Sequence, residues 1–217
     1  MATTYLQLVN NVLKRLRETE VSSVGDTPYS SMIGVFVNDA KREVEDAHDW
    51  NALAQTIVIP TVAGTSTYTL TGSGQRFKTD FVFNATQDIE MRQAPVKWME
   101  AQQYLADTTQ RSAPTYYVYE GVSGEDNQVN VWPIPDNVYS LRFYLYVPQN
   151  DFSADTDVVK VPPHLVTMLA YAKAVAERGE DGGQTFNEIY QMYRLALADA
   201  VAIEKNRYAD EVMWNGC

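Results

Sequence analysis

The sequence predicts an α+β protein: a four-helix bundle, formed by helix pairs at the two ends of the chain, with an antiparallel β domain inserted between them. Three observations predict it. Apolar residues recur with a period near 3.6 in two stretches before residue 54 and two after residue 160. Over residues 55–150 the period falls to two, and Val, Ile, Tyr, Phe and Trp are bounded by Gly, Pro, Asn and Asp. The helix pairs can bury their apolar stripes only against each other or against the β block. The expected organisation is therefore residues 1–54 with 161–208 as the bundle, 55–150 as the β domain, 151–160 as an acidic connector and 209–217 as a C-terminal tail.

The first helix is predicted over Thr4–Glu20. Thr4 and Gln7 fit a capping box, and Tyr5, Val9, Val12 and Leu16 share one stripe. Thr27 and Pro28 then open a second helix, predicted to run to about Leu53, with Ile33, Val37, Ala40, Val44 and Ala47 facing inward. Val161-Pro162-Pro163 opens the third, His164–Arg178, which the glycine-rich GEDGG stops. Thr185 and Glu188 fit another capping box, and the last helix runs through Tyr190, Tyr193 and Leu197 to about Tyr208.

Within the β block, Gln55–Thr61 and Thr65–Leu70 read as a hairpin around Val62-Ala63-Gly64. Phe77–Asn84 and Gln87–Gln93 are further strands, and Trp98–Asp107 is a short helix. The stretch Pro114–Pro148 holds six of the 14 tyrosines and reads as a three-stranded meander, 115–120, 129–132 and 139–147. Its last strand alternates: Leu141, Phe143, Leu145 and Val147 on one face, Arg142, Tyr144 and Tyr146 on the other. The first set suits a core. The second suits a half-wet surface or a contact with another chain.

At 217 residues, with 45% hydrophobic and 21% charged residues, the composition is that of a globular protein. No apolar run approaches the roughly 18 residues that span a membrane, and the N-terminal residues lack the pattern of a signal peptide. The one cysteine, Cys217, excludes an intrachain disulfide and points to a reducing cytoplasm during folding. A net charge of −11 argues against a chain that grips nucleic acid through its phosphates.

Little in the sequence points to chemistry. The two histidines, His48 and His164, lack metal-ligand spacing. Gly72-Ser73-Gly74 lacks the Lys-Ser/Thr of a phosphate loop. Asp151, Asp155 and Asp157 lack the spacing, glycine and closing glutamate of an EF-hand. No catalytic residue, metal site or cofactor is expected. One enzymatic or lectin-like alternative stays open: a sugar-stacking platform of Tyr116, Tyr119, Trp132 and Tyr144 near the carboxylates Glu120, Glu125, Asp126 and Asp136.

Three stretches carry a resemblance to a known family. They are DAHDWNALAQTIVIPTVAGTSTYTL; the block RSAPTYYVYEG, VNVWPIPD and YSLRFYLYVP; and DVVKVPPHLVTMLAYAKAVAERGED followed by a long helix. In this order they resemble the head-to-tail adaptor (connector, head-completion) proteins of tailed bacteriophages, the group that includes the tail tubular protein A type. The resemblance implies a structural virion protein, assembled in the host bacterial cytoplasm and placed at the capsid–tail junction. It implies a homo-oligomeric ring, commonly of twelve copies, docked on the portal protein, followed by a downstream tail or nozzle protein, with DNA passing through the lumen unbound. Carried onto this chain, the portal contact falls on the last helix and on Tyr208, Val212, Met213 and Trp214. Contacts to a neighbouring subunit or tail component fall on Tyr116, Tyr119, Arg142, Tyr144 and Tyr146. A tail-tube, stopper or nozzle ring is the alternative within the virion.

Overall fold

The computed structural model describes residues 2–104, 110–179 and 184–207. These fall into two compact units, one made of the chain up to Ala52 and from Gln149 onward, the other of Leu53–Pro148.

In the first unit, α1 spans Tyr5–Arg15. The capping box is present: Thr4 Oγ1 accepts the Gln7 N–H, and Gln7 Oε1 accepts the Thr4 N–H. The helix ends sooner than its apolar pattern suggests, because Leu16 caps it and Arg17 turns to φ +60°. α2 spans Pro28–Ala47, with Thr27 and Ser30 capping it reciprocally. It stops before Leu53 because His48 is extended; Trp50 then folds back and donates its Nε1–H to Val44 O at 2.7 Å. α4 spans Pro163–Arg178 and ends at Gly179, whose φ of +64° is the left-handed cap glycine favours. α4 packs against α1, α2 and α5 (Gln184–Lys205), and α1 packs against α2. Gly34 on α2 permits close approach: a Cβ there would overlap Tyr5 Oη and come within 2.8 Å of Val24 Cγ1.

Lys41 is fully buried in this unit. Its Nζ donates to Gln149 O at 2.8 Å and Asn150 O at 2.7 Å, sits 3.9 Å from Glu45, and lies 4.7 Å from the centre of the Phe152 ring. Glu45 Oε1 accepts the Gln149 N–H. Asn38 brackets Phe152 with two backbone hydrogen bonds. The acidic residues that follow act as staples. Asp151 pairs with Arg42, and Asp155 Oδ1 accepts the Val24 N–H at 3.1 Å. Asp157 Oδ2 accepts the N–H groups of Ser153 and Ala154, both at 2.8 Å. These bonds hold the Asp157 carboxyl below the usual carboxylate range. That contribution to stability is present above the ordinary carboxylate pKa and is lost as pH falls through the lowered value.

The second unit contains β1 (Ala54–Pro60), β2 (Thr67–Thr69), β3 (Lys78–Asn84), β4 (Ile89–Gln93), α3 (Val96–Tyr104), β5 (Tyr116–Ser123), β6 (Asp126–Trp132) and β7 (Ser140–Tyr146). The seven strands make one sheet in the order β1-β7-β3-β4-β5-β6-β2. Every pairing is antiparallel except β4–β5, which is parallel. A parallel pair needs a crossover, and the connection through α3 supplies it. The sheet curls into a nearly closed barrel. One core, including Ile57, Val82, Met91, Tyr117, Val131 and Phe143, draws on six of the strands. α3 covers part of the outside, where Met99 joins Val118 and Trp132 in a second cluster.

The four-helix bundle with an inserted antiparallel domain is thus overturned. Five α-helices are present among the described residues, and the sheet is a mixed, nearly closed barrel. α5 does not complete a bundle: it lies along α4 and buries only Tyr193 and Glu204 of its 22 residues. The expected β1–β2 hairpin is absent as well. β1 pairs with β7 and β2 with β6, because barrel closure rewards those distant partners. The meander is broken for the same reason: β5 and β6 form a hairpin, while β7 lies between β1 and β3.

Two measurements check these cores. Phe143→Ala opens a cavity in a fully buried site and lowers unfolding free energy by about 3–5 kcal/mol in urea titration. Lys41→Met strips a buried carboxylate and two carbonyls of their cation and costs about 3–5 kcal/mol, whereas Lys41→Met with Glu45→Leu recovers much of the loss.

Candidate functional site

β7 builds the most unusual surface of the chain. It sits between β1 and β3, so its outward residues are flanked on both sides. Across the three strands, Val58, Arg142 and Phe83 form one row, and Thr56, Tyr144 and Phe81 form the next. Tyr146 follows, opposite Ala54 and Lys78. A bulge between Thr79 and Phe81 sets the register that brings Phe81 onto Tyr144. Their rings stack with centroids 4.1 Å apart and planes 17° from parallel. Val58 is 53% exposed and Phe81 39%. The solvent face of an antiparallel sheet is ordinarily polar. Here it is apolar and aromatic around the exposed guanidinium of Arg142, whose side chain has no hydrogen-bond or ion-pair partner among the described residues. Such a surface is suited to protein contact, where aromatic and arginine anchors dominate binding energy.

The five residues expected at a subunit or tail interface are divided among three places. Arg142, Tyr144 and Tyr146 share the outer face. Tyr119 points inward, packs edge-on against Phe77 and Tyr117, and shares a 2.8 Å hydrogen bond with Thr79. Burial pushes its hydroxyl pKa well above the ordinary value. Tyr116 lies against Trp98 of α3, with ring centroids 4.8 Å apart. The four residues of the sugar-stacking alternative do not share one face: Tyr116 and Trp132 are cross-strand partners beneath α3, whereas Tyr119 packs against the barrel core and Tyr144 is outside. Val58, Phe81 and Phe83 were not expected at this surface. Their signal was weak because Phe81, Val82 and Phe83 are apolar at both parities of the strand.

α5 presents a second unusual surface. Opposite the side that meets α4, Met192, Leu195 and Ile203 are 61%, 69% and 59% exposed. Tyr208, Val212, Met213 and Trp214 lie outside the described residues.

His48 stacks edge-on against Trp50, 5.2 Å between centroids. His164 lines an open groove of about 530 Å³ with Trp50, Lys160, Glu204 and Arg207. Glu204 accepts the Asn51 N–H at 3.3 Å and pairs with Arg207 at 3.2 Å. Among the described residues no cluster of three or more His, Cys, Asp or Glu is placed to hold a metal ion, and no helix is long and apolar enough to cross a membrane.

No curated protein matches the chain. A family model described as SU10 adaptor protein matches residues 3–214, which takes in both units and every strand and helix described above. The chain belongs to the SU10 adaptor protein family.

Proposed function

We propose that this phage adaptor protein assembles into a ring that joins the portal vertex to the tail and gives DNA a passage. Family membership over residues 3–214 carries the coarse part: a structural, head–tail adaptor-type role in the virion, in contact with other virion proteins. Two surfaces support the finer part. The outer face of β1, β7 and β3 and the exposed side of α5 both carry apolar side chains that no described residue covers. A closed ring needs two different faces per subunit, one for each neighbour. The portal contact is assigned to Tyr208, Val212, Met213 and Trp214, three of which are apolar in the otherwise polar end YADEVMWNGC. The copy number proposed is twelve, and assembly takes place in the host bacterial cytoplasm.

The net charge of −11 fits a conduit. Carboxylates along a lumen repel phosphates, so DNA slides without being held. A tail-tube, stopper or nozzle ring is the second reading; it places all ring contacts on the barrel and none on a portal.

Deleting residues 209–217 separates the two. On the adaptor reading, the truncated chain keeps the thermal unfolding curve of the full chain but no longer caps portals in electron micrographs. Truncated chains that cap portals as well as full-length ones refute the assignment of the tail.

A further inference from the structure

The two exposed surfaces match each other in size and charge, and among the described residues neither is covered. On the barrel, Val58, Phe81, Phe83 and Tyr144 surround Arg142. On α5, Glu188, Met192, Leu195, Asp199 and Ile203 fall within a stripe about 80° wide at about 3.6 residues per turn. The stripe holds three apolar side chains and two carboxylates. Glu188 and Asp199 are exposed and have no ion-pair or hydrogen-bond partner among the described residues.

Size agrees as well. From Glu188 to Ile203 the helix rises about 22 Å, and the seven residues of β7 span about 20–23 Å. Three strands set about 4.8 Å apart present a width of about 10 Å, which is that of a helix.

We propose that the exposed stripe of α5 from one copy of this chain lies on the outer β1–β7–β3 face of the next copy, with Asp199 meeting Arg142. This rests on the ring reading and names the surfaces that make the ring. Charge favours a second copy of the chain as the occupant. Leu53–Pro148 carries six Lys and Arg against nine Asp and Glu, while the remainder carries eleven against nineteen. The more acidic unit supplies the carboxylate stripe, and the less acidic one supplies the guanidinium. Charge also disfavours pairing α5 with α5, since Asp199 of each copy would then face an equally acidic stripe. Two exposed carboxylates border the barrel face, Asp80 at the β3 bulge and Glu90 beyond Phe83 in the row of Arg142, while the exposed Arg92 lies beside Glu90 on β4; Arg142 stays between Val58 and Phe83. The contact is heterologous, so it propagates around a ring. A single helix on three strands is smaller than a standard interface and forms its desolvated centre, with polar neighbours completing the rim.

The test is a mixing experiment on full-length chains. Arg142→Glu and Asp199→Arg are made separately; both side chains are exposed, so each variant keeps the wild-type thermal unfolding curve. Assembly is followed by sedimentation velocity across rising concentration, and by counting rings on portals in electron micrographs. Each variant alone is expected to self-associate at least about tenfold more weakly than wild type. The two mixed in equal amounts are expected to assemble again. The carboxylate introduced on the barrel of one variant then meets the guanidinium introduced on α5 of the other, and the unaltered Arg142–Asp199 contact alternates with it. Wild-type assembly by either variant alone overturns the proposal, and so does a mixture no better than its components. Wild-type chains that form no ring on portals refute the ring reading itself, which separates the two failures.

Discussion

The structure depends on the alternation of a single strand. β7 is hydrogen-bonded on both sides, to β1 and to β3. Leu141, Phe143 and Leu145 must therefore enter the barrel, and Arg142, Tyr144 and Tyr146 must leave it. A slip of one residue would bury a guanidinium and expose three of the best-buried side chains in the unit, so the register is fixed by a large free-energy difference. The same constraint makes the outer surface. Once the inner face fixes β7 against β3, Arg142 has Val58 and Phe83 as its neighbours across the strands, and Tyr144 has Phe81. The core of the barrel thus positions its outer face without any dedicated loop.

The helical unit solves a different problem with polar groups. After β7 the chain must return to α4, and residues 149–157 make that connection beside α2. Lys41 accounts for two of their carbonyls, Glu45 and Asn38 for two of their N–H groups, and Asp157 for two more. A buried ammonium costs several kcal/mol to desolvate, so it persists only where its donors are used. Here they clamp a segment that has few apolar side chains of its own. Phe152, packed against Tyr5 at 5.5 Å between centroids, is its one large hydrophobic anchor.

Local features were legible in the sequence, and long-range pairing was not. The capping box at Thr4, the Thr27–Pro28 start, the Gly179 stop and the alternation of β7 all rest on contacts within a few residues. The partners of β1 and β2 rest on contacts dozens of residues away, so a plausible local hairpin displaced the true pairing. Tyr116 and Tyr119 looked equivalent to Tyr144 and Tyr146 by type. Which of them reach solvent depends on where α3 covers the sheet and on which parity of β5 faces the barrel. α5 misled for the opposite reason. Its apolar residues exceed one stripe, and the excess at Met192, Leu195 and Ile203 had no place in a bundle core. In the sequence the connector carboxylates show only as an acidic run, because nothing in the spacing of Asp151, Asp155 and Asp157 reveals which backbone N–H groups they serve.

That excess is also where structure meets function. Leu195, 69% exposed, and Phe81, 39% exposed, each forgo part of the about 1.5–3 kcal/mol that full burial of such a side chain contributes. The exposed apolar side chains lie on one helix and on the outside of one barrel, with Arg142 on one surface and Asp199 on the other. In the proposed ring every subunit makes the same contact twice, and closure adds the strength that a single contact lacks.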